Sequence, residues 1–129
     1  MTTLTESQYP GEFIIAEPAP EISREKVTVT APASTKLEPG HVMAQLTATG
    51  KWVPYDNAGS DGSEEAAGIL YTEVDNEATA SPTDFTSAVM VVRLAAVRKA
   101  DLQWDSGVDA SGKTAAYADL KAVMITALD

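Results

Sequence analysis

Residues 42–55 read Val-Met-Ala-Gln-Leu-Thr-Ala-Thr-Gly-Lys-Trp-Val-Pro-Tyr, and this stretch decides the fold class. Residues 42–47 form a short apolar run with strand character, and Gly50-Lys51 breaks it. Trp52-Val53-Pro54-Tyr55 then resumes an aromatic and β-branched pattern, so the whole reads as a β-hairpin. Pro54 has no N–H to give to a ladder, which places this second strand at an edge or ends it there.

Working outward, the period stays at two. Pro39-Gly40 before the hairpin is a turn signal, and further back Val27 and Val29 alternate with Thr28 and Thr30 as in a half-buried strand. After the hairpin, residues 56–62 are a loop on composition alone. Ala66-Ala67-Gly68-Ile69-Leu70-Tyr71 reads as a buried strand whose glycine permits close backbone approach. A long acidic loop over residues 73–84 leads to the most hydrophobic run, residues 88–94, expected as a central strand. Residues 95–104 fit a helical face through Leu94, Val97 and Leu102, and equally an alternating strand through Val97, Lys99 and Asp101. Asp109 or Ser111 can cap a short helix running through residues 114–121, with Tyr117, Leu120 and Met124 on one face. The alternating β-branched residues of 123–128 read as a closing strand. The fold class is therefore mainly β with small α+β character. A compact β domain over residues 26–129 carries one short helix near its C-terminus.

Residues 1–25 differ from the rest. Pro10, Pro18 and Pro20 interrupt regular structure, and Glu17-Pro18-Ala19-Pro20-Glu21 favours extended, polyproline-like backbone. The segment reads as a flexible N-terminal arm with one apolar triplet, Phe13-Ile14-Ile15. That triplet either adds a strand to another protein's sheet or folds back onto its own domain.

Composition excludes several functions. The 129 residues hold nineteen acids against nine bases, a net charge of −10, which opposes binding to nucleic acid or an anionic membrane surface. No apolar run approaches the roughly 20 residues that span a bilayer. The start, MTTLTESQYPGEF, lacks the basic and apolar regions of a secretory signal, so none is expected. Without cysteine there is no disulfide, thiol nucleophile or thiolate metal site, and a single histidine leaves acid–base chemistry thinly supplied. No catalytic residue, cofactor site or metal site is expected.

Three patterns invite chemistry and fail on context. Gly107-Val108-Asp109-Ala110-Ser111-Gly112-Lys113-Thr114 fits the phosphate-loop pattern letter for letter. Only fifteen residues follow Thr114, too few for a strand bearing a metal-holding acid, and Asp109 opposes polyphosphate. A capped helix start explains the same residues. The acids of residues 56–65 do not follow EF-hand spacing, since the third ligand position falls on Ala58. Glu73, Asp75 and Glu77 at spacing two make a solvated acidic edge. No lysine or arginine lies between Trp52 and Val92, where eight acids do, while Arg93, Arg98, Lys99, Lys113 and Lys121 follow. This segregation suggests one acidic and one more basic surface, suited to partner contacts.

The ordered set of features resembles the lambda-type bacteriophage head decoration family, the capsid cement proteins. The likeness rests on Val42-Met43-Ala44-Gln45-Leu46, Gly50-Lys51-Trp52-Val53-Pro54-Tyr55-Asp56, Asp61-Gly62, Ala66-Ala67-Gly68-Ile69-Leu70, the run from Val89 to Arg93, Trp104, and the terminal Val123-Met124-Ile125-Thr126. It covers about residues 27–128, departing at the longer acidic loop and the phosphate-loop-like string. The resemblance implies a non-enzymatic β-rich unit that sits as a homotrimer on the outer surface of the expanded capsid, at three-fold and quasi-three-fold positions. It further implies assembly in the host cytoplasm and stabilisation of the shell against packaged DNA. The partner it implies is the major capsid protein, with no nucleic acid, membrane or cofactor. On this reading Phe13, Ile14 and Ile15, with Val27 and Val29 at the arm's root, form the capsid-contacting strand. From the residues alone, His41, after the Pro-Gly turn and without a second histidine, is expected as a satisfied surface position or a trimer contact, and Trp52, Trp104, Tyr55 and Tyr71 as core anchors. The alternatives are another virion β module, such as a head fibre base or tail accessory, and, remotely, a small nucleotide-binding enzyme.

Overall fold

A computed structural model describes residues 9–129. The chain runs β1 (Ile14–Ala16), the one-turn helix α1 (Pro20–Ser23), β2 (Arg24–Ala31), β3 (Lys36–Leu37), β4 (Val42–Gln45) and β5 (Trp52–Pro54). It continues through β6 (Ala66–Leu70), β7 (Val74–Asp75), β8 (Thr83–Val91), β9 (Ala95–Arg98), a 3-10 turn (Lys99–Asp101), α2 (Ala110–Ala122) and β10 (Ile125–Leu128). Strands β2-β5-β4-β6-β8 close into a barrel, β1-β9-β10 form a three-stranded sheet, and β3-β7 make a two-stranded ribbon.

The hairpin is present as read: β4 and β5 pair antiparallel, Met43 opposite Pro54 and Gln45 opposite Trp52. Strand β5 ends at Pro54, where the ladder loses its donor. The longest pairing is antiparallel β2 with β8, from Arg24 opposite Val91 to Ala31 opposite Thr83. Strand β8 thus starts five residues before the apolar run. Exposed Asp84, Thr86 and Ser87 alternate there with half-buried Thr83 and Phe85, a half-solvated pattern that hydropathy alone underrates.

Two hydrophobic cores explain the continuous apolar runs. Val29, Met43, Trp52, Leu70, Ala88 and Met90 pack into one, and Val42, Ile69 and Val91 into the other. Register aligns them: Val42 lies opposite Ile69 and Ile69 opposite Val91, while Leu70 lies opposite Met90. Strands buried on both faces feed alternate side chains to each core, so Val42-Met43-Ala44 and Ile69-Leu70 show no polar alternation. Each fully buried aliphatic side chain contributes about 1.5–3 kcal/mol. Gly68 sits where strands and side chains crowd: a Cβ there would lie 2.9 Å from the Val91 carbonyl oxygen and 3.1 Å from the Trp52 ring.

The second core is roofed by α2, whose buried face is Gly112, Ala116 and Leu120, one residue per turn. Asp109 is its N-cap, accepting from the Gly112 amide at 2.8 Å. Tyr55, buried, donates its hydroxyl to the Gly112 carbonyl at 2.9 Å and so ties the hairpin to the helix. Trp104 packs edge-on between Tyr55 and Tyr117.

Several local expectations change. The ambiguous stretch 95–104 is a strand, β9, followed by the 3-10 turn, because Val97 and Ala95 face the second core at period two. Parallel pairing with β10, Ile125 opposite Ala95, fixes it there. The acidic stretch 73–84 is not simply loop: Val74 is buried and β7 pairs with β3. Asn76 holds the turn beyond it, donating Nδ2 to the carbonyls of Ala31, Pro32 and Ser81. Met124 does not share the helix face with Leu120. It follows the C-cap Val123 at φ 64°, and the side chain stands out in solvent.

Candidate functional site

The first eight residues of the expected arm lie outside the described residues; from Tyr9 onward the structure locates the chain. The apolar triplet folds back onto its own domain. Phe13 is 0% exposed in the second core, and its carbonyl accepts from the Arg98 amide at 2.9 Å. Ile14 lies opposite Val97 in antiparallel β1–β9 pairing. Ile15 points away and is 45% exposed. Val27 packs partly buried against the barrel core, and Val29 is fully buried in it. The five residues expected at the capsid therefore divide: Phe13 and Val29 sit in separate cores, and Ile15 alone is well exposed.

A polar latch holds the connection from β1 to β2. Glu17, its side chain 5% exposed, receives a bidentate contact from Arg24, with Nη2 at 2.5 Å and Nε at 3.0 Å. It also accepts from the Ser23 hydroxyl at 2.7 Å. The Arg24 guanidinium lies 4.0 Å from the centre of the Tyr71 ring. The hydrogen bond to Glu17 raises the Arg24 pKa further, against the opposing effect of burial. Pro18 and Pro20 shape the intervening turn, and Pro20 opens α1.

Two bases from outside the acidic stretch pair with its acids. Lys51 reaches Asp84 at 2.6 Å and Lys36 lies 3.8 Å from Glu73, so bases from outside the acidic stretch are carried onto it. The carboxyl of Asp84 is held below its usual range by the hydrogen bonds from Lys51 and Thr30. On the other side Arg93 pairs with Glu25 at 3.0 Å and Arg98 with Asp101 at 3.0 Å.

The phosphate-loop-like string is a helix start. The Gly112 amide is taken by the Asp109 carboxylate and the Lys113 amide by the Asp109 carbonyl. The Lys113 ammonium lies 5.7 Å from the Trp104 ring, and Thr114 donates its hydroxyl to the Ala110 carbonyl. A Cβ on Gly112 would meet the Asn57 side chain at 2.7 Å, so this glycine serves helix–loop packing. Residues 56–65 use their acids in turns: Asp56 accepts from the Ala58 amide, and Asp61 from the Ser63 amide and hydroxyl.

His41 is not a satisfied surface residue. It is 8% exposed, its Nε2 is buried without a hydrogen-bond partner among the described residues, and burial lowers its pKa to about 4 against a raising influence from Asp105. Its backbone bridges the barrel to the second core, beside Gln103.

Of the large exposed apolar side chains, sequence reading marked only Ile15 as a contact residue. Tyr9, Ile15, Ile22, Met124 and Leu128 are the large exposed hydrophobics among the described residues. Four of them lie on elements that pair with or bond to the segment 92–98. Ile15 rides on β1 beside β9, and Leu128 lies opposite Arg98. Arg93 donates to the Ile22 carbonyl. The Ala95 amide donates to the Met124 carbonyl, and Met124 and Val123 wall a shallow groove with Val92 and Arg93. Both Leu94, at φ 54°, and Met124 occupy the left-handed region. A side chain there costs about 1 kcal/mol relative to glycine, the residue usual at this position after a helix.

No curated protein matches the chain in sequence. The profile of the bacteriophage lambda head decoration protein D family matches residues 3–125. That match spans the barrel, the β1-β9-β10 sheet's first two strands and α2, and it reaches the first residue of β10. The chain therefore belongs to the bacteriophage lambda head decoration protein D family, whose members are structural components of the phage head.

Proposed function

We propose that this protein is a cement protein of an expanded phage head. It binds the outer face of the major capsid protein as a homotrimer at three-fold and quasi-three-fold positions, and stabilises the shell against the pressure of packaged DNA. The observation that carries this reading is the family match over residues 3–125. The N-terminal segment of residues 1–25 makes the shell contact. Ile15 supplies its exposed apolar side chain there, while Phe13, Ile14, Val27 and Val29 fix the base from which the contact is made.

Stabilisation follows from mass action. A protein that binds the expanded shell and not its precursor stabilises the former by RT ln(1 + [L]/Kd), about 4 kcal/mol at a thousand times Kd. Selectivity requires contacts present in one shell state only, because equal affinity for both shifts nothing. Three subunits bound together turn modest single contacts into avidity. The net charge of −10 suits an exterior position, where affinity for DNA would be a defect.

The test is heat release of DNA from filled heads, with and without the protein. Heads that carry it are expected to retain DNA at temperatures where bare heads lose it. Equal retention would refute the stabilising role.

A further inference from the structure

His41 stands where backbone hydrogen bonds tie the two cores together. The Gly40 amide donates to the Leu70 carbonyl at 2.8 Å and the Leu70 amide to the His41 carbonyl at 2.9 Å, which joins residues 40–41 to β6. The Val42 amide donates to the Gln103 carbonyl at 3.0 Å and the Gln103 amide to the Gly40 carbonyl at 2.9 Å. These two bonds join the same residues to the segment after the 3-10 turn, which carries Leu102 of the second core. At this crossing the side chain is an imidazole, 8% exposed, whose Nε2 is buried without a hydrogen-bond partner among the described residues. An apolar side chain would fill the place without leaving a polar atom unpaired. The imidazole also has an outlet, because it lines an open cavity of about 380 Å³ together with Lys36, Glu38, Glu77 and Gln103.

We propose that His41 is an acid-sensitive joint: taking up a proton opens the crossing of residues 40–42 with Leu70 and Gln103 while the β2–β8 ladder stays closed. In the closed form the charge would be buried beside an unpartnered Nε2. The charged groups about it are Lys36 and Glu38 from β3 and the turn after it, Glu77 from the turn beyond β7, and Asp105 just after Gln103. The residues of β4 and β6 at the crossing, Val42, Ile69 and Leu70, are apolar. Asp105 favours the proton, but burial outweighs it and holds the pKa at about 4 in the closed form, against an ordinary 6.5. Opening turns the ring into the cavity, where water, Glu38 and Glu77 meet its charge. The open form therefore binds the extra proton, and opening becomes easier as pH falls from 6.5 towards 4. The β2–β8 ladder, from Arg24 opposite Val91 to Ala31 opposite Thr83, includes no residue of the crossing and need not part with it. The joint belongs to the free chain, so its test needs no shell and stands apart from the cement reading.

Native-state hydrogen exchange on the full chain reads both parts. The amides of Val42, Leu70 and Gln103 report the joint, and those of β2 and β8 report global unfolding. With rates corrected for the pH dependence of chemical exchange, the joint amides are expected to be about tenfold or more less protected than the ladder amides at pH 7. Their protection is expected to fall about 20-fold between pH 7 and pH 5 through His41, and His41→Gln, which does not titrate there, is expected to remove that dependence. Equal protection of joint and ladder at both pH values overturns the proposal, since the crossing then opens only with the whole fold. Joint protection that is the same at pH 7 and pH 5, or an undiminished dependence in His41→Gln, overturns it as well. Should the variant not fold, the imidazole resonances of the wild type decide. Titration well below 6.5 in the folded protein supports the joint, and titration at 6.5 overturns it.

Discussion

Truncating Phe13 to alanine separates an arm that is part of the domain from one that merely hangs from it. The ring is fully buried in the core shared with Val97, Leu120 and Ile125. Its backbone carbonyl holds the Arg98 amide. Removing a buried phenylalanine costs about 3–5 kcal/mol when the cavity cannot collapse. Strand β1 is short and lies at the edge of its sheet, so it can peel away and relieve part of that cost. The lower end, about 3 kcal/mol, is therefore expected, which for a domain of this size lowers Tm by roughly 10 °C. Hydrogen exchange gives the local readout: the Arg98 amide, protected in the wild type, becomes fast in Phe13→Ala, while amides of β2 and β8 speed up only in proportion to the loss of global stability. Ile15→Ala, on the exposed side of the same strand, is the control and is expected within about 0.5 kcal/mol of wild type. Unchanged melting in Phe13→Ala, or an unprotected Arg98 amide in the wild type, would refute the folded-back arrangement.

Three further outcomes follow from the same contacts. His41 titrates near its ordinary 6.5 when unfolded and at about 4 when folded, so between those values the unfolded chain holds the extra proton and stability falls as pH drops. This amounts to about 3 kcal/mol by pH 4. The urea midpoint of His41→Leu should show a correspondingly smaller loss between pH 7 and pH 4, and parallel losses would refute the buried neutral histidine. Asp109→Ala removes the side chain that caps α2 and should cost about 1 kcal/mol by urea unfolding, whereas no change would contradict the capping role. Gly68→Ala forces a methyl group against the Val91 carbonyl and Trp52, for a loss of about 1–3 kcal/mol. A neutral result would show that β6 and β8 can separate freely.

The fold was legible where periodicity and turn chemistry agree. The Gly50-Lys51 break, Pro54 and the alternation at Val27 and Val29 located a hairpin and a strand that the structure contains. Asp109 and Ser111 were both open as caps of the helix, and the structure takes Asp109. What sequence left open was long-range. Whether residues 95–98 are helix or strand depends on β10, thirty residues later, pairing alongside. Strand β7 was hidden inside acids because its one apolar residue, Val74, needs Leu37 opposite it. The burial of His41 depends on a bridge to Gln103. The contact surface was the least legible part. Phe13, Ile14 and Ile15 look alike as letters, yet the β1–β9 pairing sends Phe13 inward and Ile15 outward. Met124 reads as a helix-face residue at spacing four from Leu120. Only the left-handed turn after Val123 turns it to solvent.

The central claim is tested most directly by co-sedimenting the full-length protein with unexpanded and with expanded shells of the parent phage. Saturable binding to expanded shells only is expected. Binding to neither shell, or equal binding to both, would contradict it.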